Sequence, residues 1–141
     1  MKRYEFLPHT ADVAVKVYGG SLKELFTSAA LAMFSILVTK KKNRAKVALK
    51  EIHIKKKAEL LEDLLKAWLD ELLFHFSTEG RVLHRIKSLD VEEGAFEAKV
   101  LLECFDRESY EMKDEIKAVT YHELKVERVR NRWQAHIIFD V

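Results

Sequence analysis

The chain of 141 residues contains one cysteine, one proline and four glycines. A lone Cys104 excludes an internal disulfide and a cysteine-built zinc site, so a reducing compartment is the expected setting. So little glycine and proline excludes collagen-like and linker-like chains. No sign of charge dominates: 25 Lys and Arg against 23 Asp and Glu leave +2, too even to mark a nucleic-acid binder. No hydrophobic run approaches the ~20 residues of a membrane span. The longest, Ala29 to Val38, is interrupted by Ser35, and Glu5 and Pro8 break any signal-peptide core near the start. The expectation is a cytoplasmic protein without membrane contact. Common catalytic signatures are also missing: no phosphate loop, no dinucleotide glycine pattern, no His-Glu-x-x-His and no Gly-x-Ser-x-Gly. What is present is 48% hydrophobic and 34% charged residues, the balance of a folded globular chain with one sizeable core.

The patterning supplies the elements. Val13, Val15 and Val17 alternate with Ala14, Lys16 and Tyr18, a strand with one buried face. Gly19-Gly20 ends it. Ser21-Leu22-Lys23-Glu24 reads as a capping box, with Ser21 accepting from the Glu24 N–H and Glu24 reaching back to Ser21. Leu22, Leu25, Phe26, Ala29, Met33 and Leu37 then lie on one stripe of a helix. A second helix is expected over about Glu59 to Ser77, with Gly80 as its left-handed stop. Tyr4–Leu7, Val47–Ile54, Val82–Leu89, Phe96–Phe105, Ile116–Val126 and Trp133–Phe139 read as strands. The alternation slips between Leu49 and Ile52, which predicts a bulge there. This order predicts an α+β single domain over residues 1–141, a mixed or antiparallel sheet packed by two amphipathic helices.

Two segments could carry chemistry. Pro8-His9-Thr10-Ala11-Asp12 packs three polar side chains just before a strand, where Asp and Thr also serve ordinary turns. Ile137-Ile138-Phe139-Asp140-Val141 ends in an acid on an otherwise hydrophobic strand, where a charge needs a partner or a cation unless it is solvated. Asp140 and the main-chain oxygens of Val141 offer hard donors. If the strand after Asp12 lies beside the last strand, Asp12 adds another. Such oxygen donors suit Ca²⁺ or Mg²⁺ rather than Zn²⁺. Lys117 reads either as an exposed lysine or as a positive contact for phosphate or a partner. The six histidines are scattered with no pair at helical i, i+4 spacing. Lys40-Lys41-Lys42 and Lys55-Lys56-Lys57 read as solvated loop or strand ends, and Cys104 as a small structural hydrophobe. On the second helix, Asp63, Asp70 and Glu71 read as its water-facing side, with Glu62 and Lys66 placed for an ion pair.

The chain resembles the archease family, protein partners of RtcB-type RNA ligases. The resemblance rests on Tyr4-Glu5-Phe6-Leu7 with His9-Thr10-Ala11-Asp12-Val13, Gly20-Ser21-Leu22, Trp68-Leu69-Asp70-Glu71-Leu72-Leu73, Lys117-Ala118-Val119-Thr120-Tyr121-His122, and the ending Ile137 to Val141. One departure stands out: Pro8 replaces the acid that usually opens the Asp-His-Thr-Ala-Asp block. The resemblance implies a non-enzymatic activator that promotes guanylylation and multiple turnover of the ligase in tRNA splicing and RNA repair, and that broadens its nucleotide use. It implies a divalent-cation site, most readily Ca²⁺, at Asp12, Asp140 and Val141, and a functional lysine at Lys117. tRNA would be met through the ligase. The residues alone leave two other readings open: a small RNA-binding module using the lysine runs, or a metal-dependent hydrolase centred on Asp12 and Asp140. The first needs aromatics among its lysines, the second a general base or nucleophile, and the sequence offers neither clearly.

Overall fold

The computed structural model describes residues 2–8, 11–41 and 48–141. β1 (Tyr4–Leu7) and β2 (Val13–Gly19) pair antiparallel and lead into α1 (Leu22–Leu37). There follow β3 (Val38–Lys40), β4 (Leu49–Lys57), α2 (Leu61–Glu79), β5 (Arg81–Glu92), β6 (Ala95–Cys104), β7 (Tyr110–Met112), β8 (Ala118–Val119), β9 (Lys125–Val129) and β10 (Arg132–Asp140). The strands make a five-stranded sheet in the order β1-β2-β10-β8, with β9 also on β10, a three-stranded sheet β4-β6-β5 and the pair β3-β7. Every pairing is antiparallel. Both helices and three sheets share one hydrophobic core, so the expected α+β class holds.

Alternation decides which face is buried. The odd positions Val15, Val17, Ala135, Ile137 and Phe139 enter that core from the five-stranded sheet. Trp68 of α2 is fully buried, and its indole donates to the Phe26 carbonyl at 2.9 Å, tying α2 to α1. Phe96, from the three-stranded sheet, meets Phe26 and Trp68 edge-on, with centroids 5.9 and 5.8 Å away. The Ser21 hydroxyl accepts from the Glu24 N–H at 3.1 Å as predicted. The return arm differs, because Glu24 accepts from Gly20 at 2.6 Å rather than from Ser21.

Other local expectations are corrected. α2 begins at Leu61 rather than Glu59, with Leu60 in extended backbone at its N-cap and no side-chain cap bond, and Gly80 ends it in the left-handed region at φ 64°. β4 carries no bulge: its register runs unbroken from Leu49↔Glu103 to Lys57↔Ala95. Leu49 sits on the outer face and is exposed, which made the alternation seem to slip. The irregularities fall in β5, at Leu83/Arg85 and Ile86/Ser88. The expected strand over Ile116–Val126 is split into β8 and β9 by a turn, in which Leu124 N–H donates to the Tyr121 carbonyl at 3.1 Å and Glu123 takes φ 53°. β3 and β7 are three residues each, too short to show a period.

Candidate functional site

β2 and β10 run side by side in register from Val13↔Phe139 to Gly19↔Trp133. Asp12 immediately precedes β2 and Asp140 ends β10, so both acids adjoin the last register pair, Val13↔Phe139. Asp140 occupies an even position of β10, on the face opposite the odd-numbered residues that enter the core. Asp140 also pairs with Ala118 of β8 on its other side, and the Lys117 N–H donates to the Asp140 carbonyl at 2.7 Å. The opening acid, the closing acid, Val141 and Lys117 therefore gather at one end of the five-stranded sheet. Both acids are half-buried, whereas Lys117 and Val141 are exposed. His9 and Thr10 lie outside the described residues. Pro8 is exposed just after β1.

The Lys117–Tyr121 segment is built to hold this corner. Val119 is buried opposite Phe139. Thr120 gives both its N–H, at 3.1 Å, and its hydroxyl, at 2.9 Å, to the Ile138 carbonyl. Tyr121 leaves the strand and leans on α2. The Asp63 carboxylate beside its phenol raises the hydroxyl above its ordinary pKa. The Lys66 ammonium stands 4.9 Å from the ring centroid. Asp63 and Lys66 thus brace the corner, a role the sequence reading of a water-facing helix side missed. Their i, i+3 spacing on α2 was the available signal. The anticipated Glu62–Lys66 pair is also absent: Lys66 pairs with Asp70 at 2.7 Å, and Glu62 accepts from the Val126 N–H at 2.8 Å.

Donor chemistry limits what the corner could hold. Two side-chain carboxylates and main-chain oxygens are hard ligands. Among the described residues no three His, Cys, Asp or Glu side chains converge. A cation at this corner would therefore have few side-chain ligands, Asp12 and Asp140. Elsewhere, Lys55 to Lys57 end β4, an edge strand of the three-stranded sheet, where lysines discourage edge-to-edge pairing. Cys104 is exposed rather than buried, since the inward row of β6 runs out where Cys104 meets Arg81. No helix is long and apolar enough to cross a membrane.

Residues 4–141 match the Archease protein family (MTH1598/TM1083). The chain is 39% identical to the protein archease of Pyrococcus furiosus and 38% identical to that of Methanosarcina acetivorans, covering 100% and 97% of those proteins and 100% and 99% of itself. It superposes on the solution structure of Methanobacterium thermoautotrophicum protein 1598 with a TM-score of 0.78, 32% identity and full coverage of both chains. A second solved structure, described as an archease and possible chaperone from Thermotoga maritima, gives a TM-score of 0.66 at 25% identity over 96% of this chain and 94% of that one. With the two-helix, antiparallel architecture and the matched segment running from β1 to the last residue, the chain belongs to the archease family.

Proposed function

We propose that this protein is a non-catalytic activator of an RtcB-type RNA ligase, promoting its guanylylation and repeated turnover and widening its nucleotide use in tRNA splicing and RNA repair. The observation that carries the reading is the convergence of Asp12, Asp140 and Lys117 on one sheet end, at the chain's two most distinctive motifs. Attaching a guanylate to a ligase histidine from GTP develops negative charge on departing pyrophosphate, and fixed positive charge stabilises it. A divalent cation, most readily Ca²⁺ with Mg²⁺ as the alternative, supplies such charge when held here. Asp12 and Asp140 would hold it, with the main-chain oxygens of Val141. Lys117 presents a second positive group from a backbone anchored to Asp140, and the Thr120 and Tyr121 contacts keep that anchor still.

A purely structural role for the ion is less well supported. The seven register pairs between β2 and β10 already fasten the two segments without it. The test is multiple-turnover ligation by the cognate ligase with wild-type protein, Asp12→Ala and Asp140→Ala. Loss of stimulation by folded variants is expected. Full stimulation by both would reject the docking role.

A further inference from the structure

We propose that the cleft enclosed by β1, α1, β3 and β5 binds a small amphiphilic anion, with an apolar tail or ring on its floor and a carboxylate or phosphate head at its rim. The cleft holds about 500 Å³, the size of small-molecule sites. Leu31, Phe34, Val38, Val82, Leu83 and Ile86 make an apolar floor. Leu31 is 39% exposed, the one large apolar side chain of α1 left open to solvent, and it lies in this cleft.

The rim is of one sign. Arg3, Lys40 and Arg85 line it, and among the described residues no Asp or Glu does. In a chain whose charges nearly balance, that segregation is local rather than a consequence of composition. None of the three cations pairs with a carboxylate among the described residues, so their charge is available to a ligand. His84 stands beside them at the irregular step between Leu83 and Arg85, where β5 has one residue more than β6. A bulge of this kind re-aims a side chain. The His84 Nδ1 lies 2.5 Å from a carboxylate oxygen of Glu103, which is fully buried and also accepts from the Tyr110 hydroxyl. A buried carboxylate clamped by a tyrosine thereby fixes the ring at the cleft wall.

The shape favours a small ligand over an added peptide strand. β5 is the edge of its sheet, yet its two irregular steps lie along this cleft, and a broken edge is a poor template for strand addition.

Calorimetric titration of the intact protein with decanoate, decyl phosphate, decylammonium and inorganic phosphate tests the proposal. Saturable one-to-one binding of decanoate or decyl phosphate is expected, and comparing those two identifies the preferred head. Inorganic phosphate, lacking the tail, should bind far more weakly. Arg3→Gln combined with Arg85→Gln should weaken binding by at least about tenfold, and Leu31→Asp should weaken it while the protein still melts cooperatively. The His84 ring resonances should move on titration. Equal binding of decylammonium, unchanged binding by the variants, or no saturable binding of either amphiphilic anion would overturn the proposal.

Discussion

Gly19→Ala probes how closely the last residue of β2 meets the start of α1. A Cβ built on Gly19 would lie 2.3 Å from the Leu25 amide nitrogen and 2.7 Å from the Glu24 carbonyl carbon, about 1 Å short of ordinary contact. Those neighbours are backbone, so no rotamer change relieves the clash. The first turns of α1 would have to move off the sheet, loosening Leu25, Phe26 and Ala29, all fully buried. Forced overpacking of this kind typically costs ~1–3 kcal/mol, more where backbone must shift, and we expect about 3 kcal/mol. At this chain length that lowers the melting temperature by roughly 5–10 °C. Gly20→Ala is the control. Its Cβ would meet only the flexible Glu24 carboxylate end, at 2.7 Å, and neither glycine needs a positive φ. Losing glycine's unfolded-state freedom offsets a mild clash, so its stability should stay within about 0.5 kcal/mol of wild type. Urea unfolding and thermal melts report both. A Gly19→Ala protein as stable as wild type would refute the close-contact argument.

Trp68→Phe should cost about 2–3 kcal/mol in urea unfolding, because it removes the bond to Phe26 and leaves unfilled space in the helix–helix seam. Millimolar Ca²⁺ should raise the melting temperature of wild type over chelator-treated protein, since ligands of the folded state stabilise it, and Asp12→Asn and Asp140→Asn should each erase that rise; no rise in wild type, or an undiminished rise in both variants, would remove the corner from the cation site. Alkaline unfolding should follow the tyrosines. Tyr18 is held above its ordinary pKa by burial and then by its bond to Glu5, and Tyr121 by the neighbouring Asp63 carboxylate. Raised acids contribute stability present below about pH 10 and lost as pH rises through their folded values, and Tyr121→Phe should reduce that loss in pH-dependent melts. On the acid side, the carboxyls of Glu5, Glu51, Glu79, Glu97 and Glu127 are held low by neighbouring Lys, His or Gln side chains. Their contribution is present above about pH 4.5 and lost below it as pH falls through their lowered values. Being solvent-screened, it should be small and shrink with added salt.

The valine alternation, the capping box and the two apolar stripes were legible because each expresses a single period or a local hydrogen bond. The pairing of opening and closing strands was legible only as a conditional, since register is set by tertiary contacts rather than by either strand. The segment after Ile116 misled because alternation persists across a turn: Thr120 and Tyr121 keep the two-residue rhythm while the chain leaves the sheet for Asp63 and Lys66. β4 misled for the opposite reason, since an edge strand with few buried positions shows little alternation though its register is regular. The apolar cleft had no sequence signal, because Arg3, just before β1, Lys40 of β3 and Arg85 of β5 are far apart in the chain.

The central claim is that the paired acids and Lys117 form the face through which the ligase is activated. The most direct measurement is the time course of guanylate attachment to the cognate ligase, with wild-type protein and with Asp12→Ala, Asp140→Ala and Lys117→Ala variants of confirmed fold. The account predicts faster attachment with wild type and a rate near that of ligase alone with each variant. Wild-type acceleration by all three variants, or no acceleration by the wild-type protein, would contradict it.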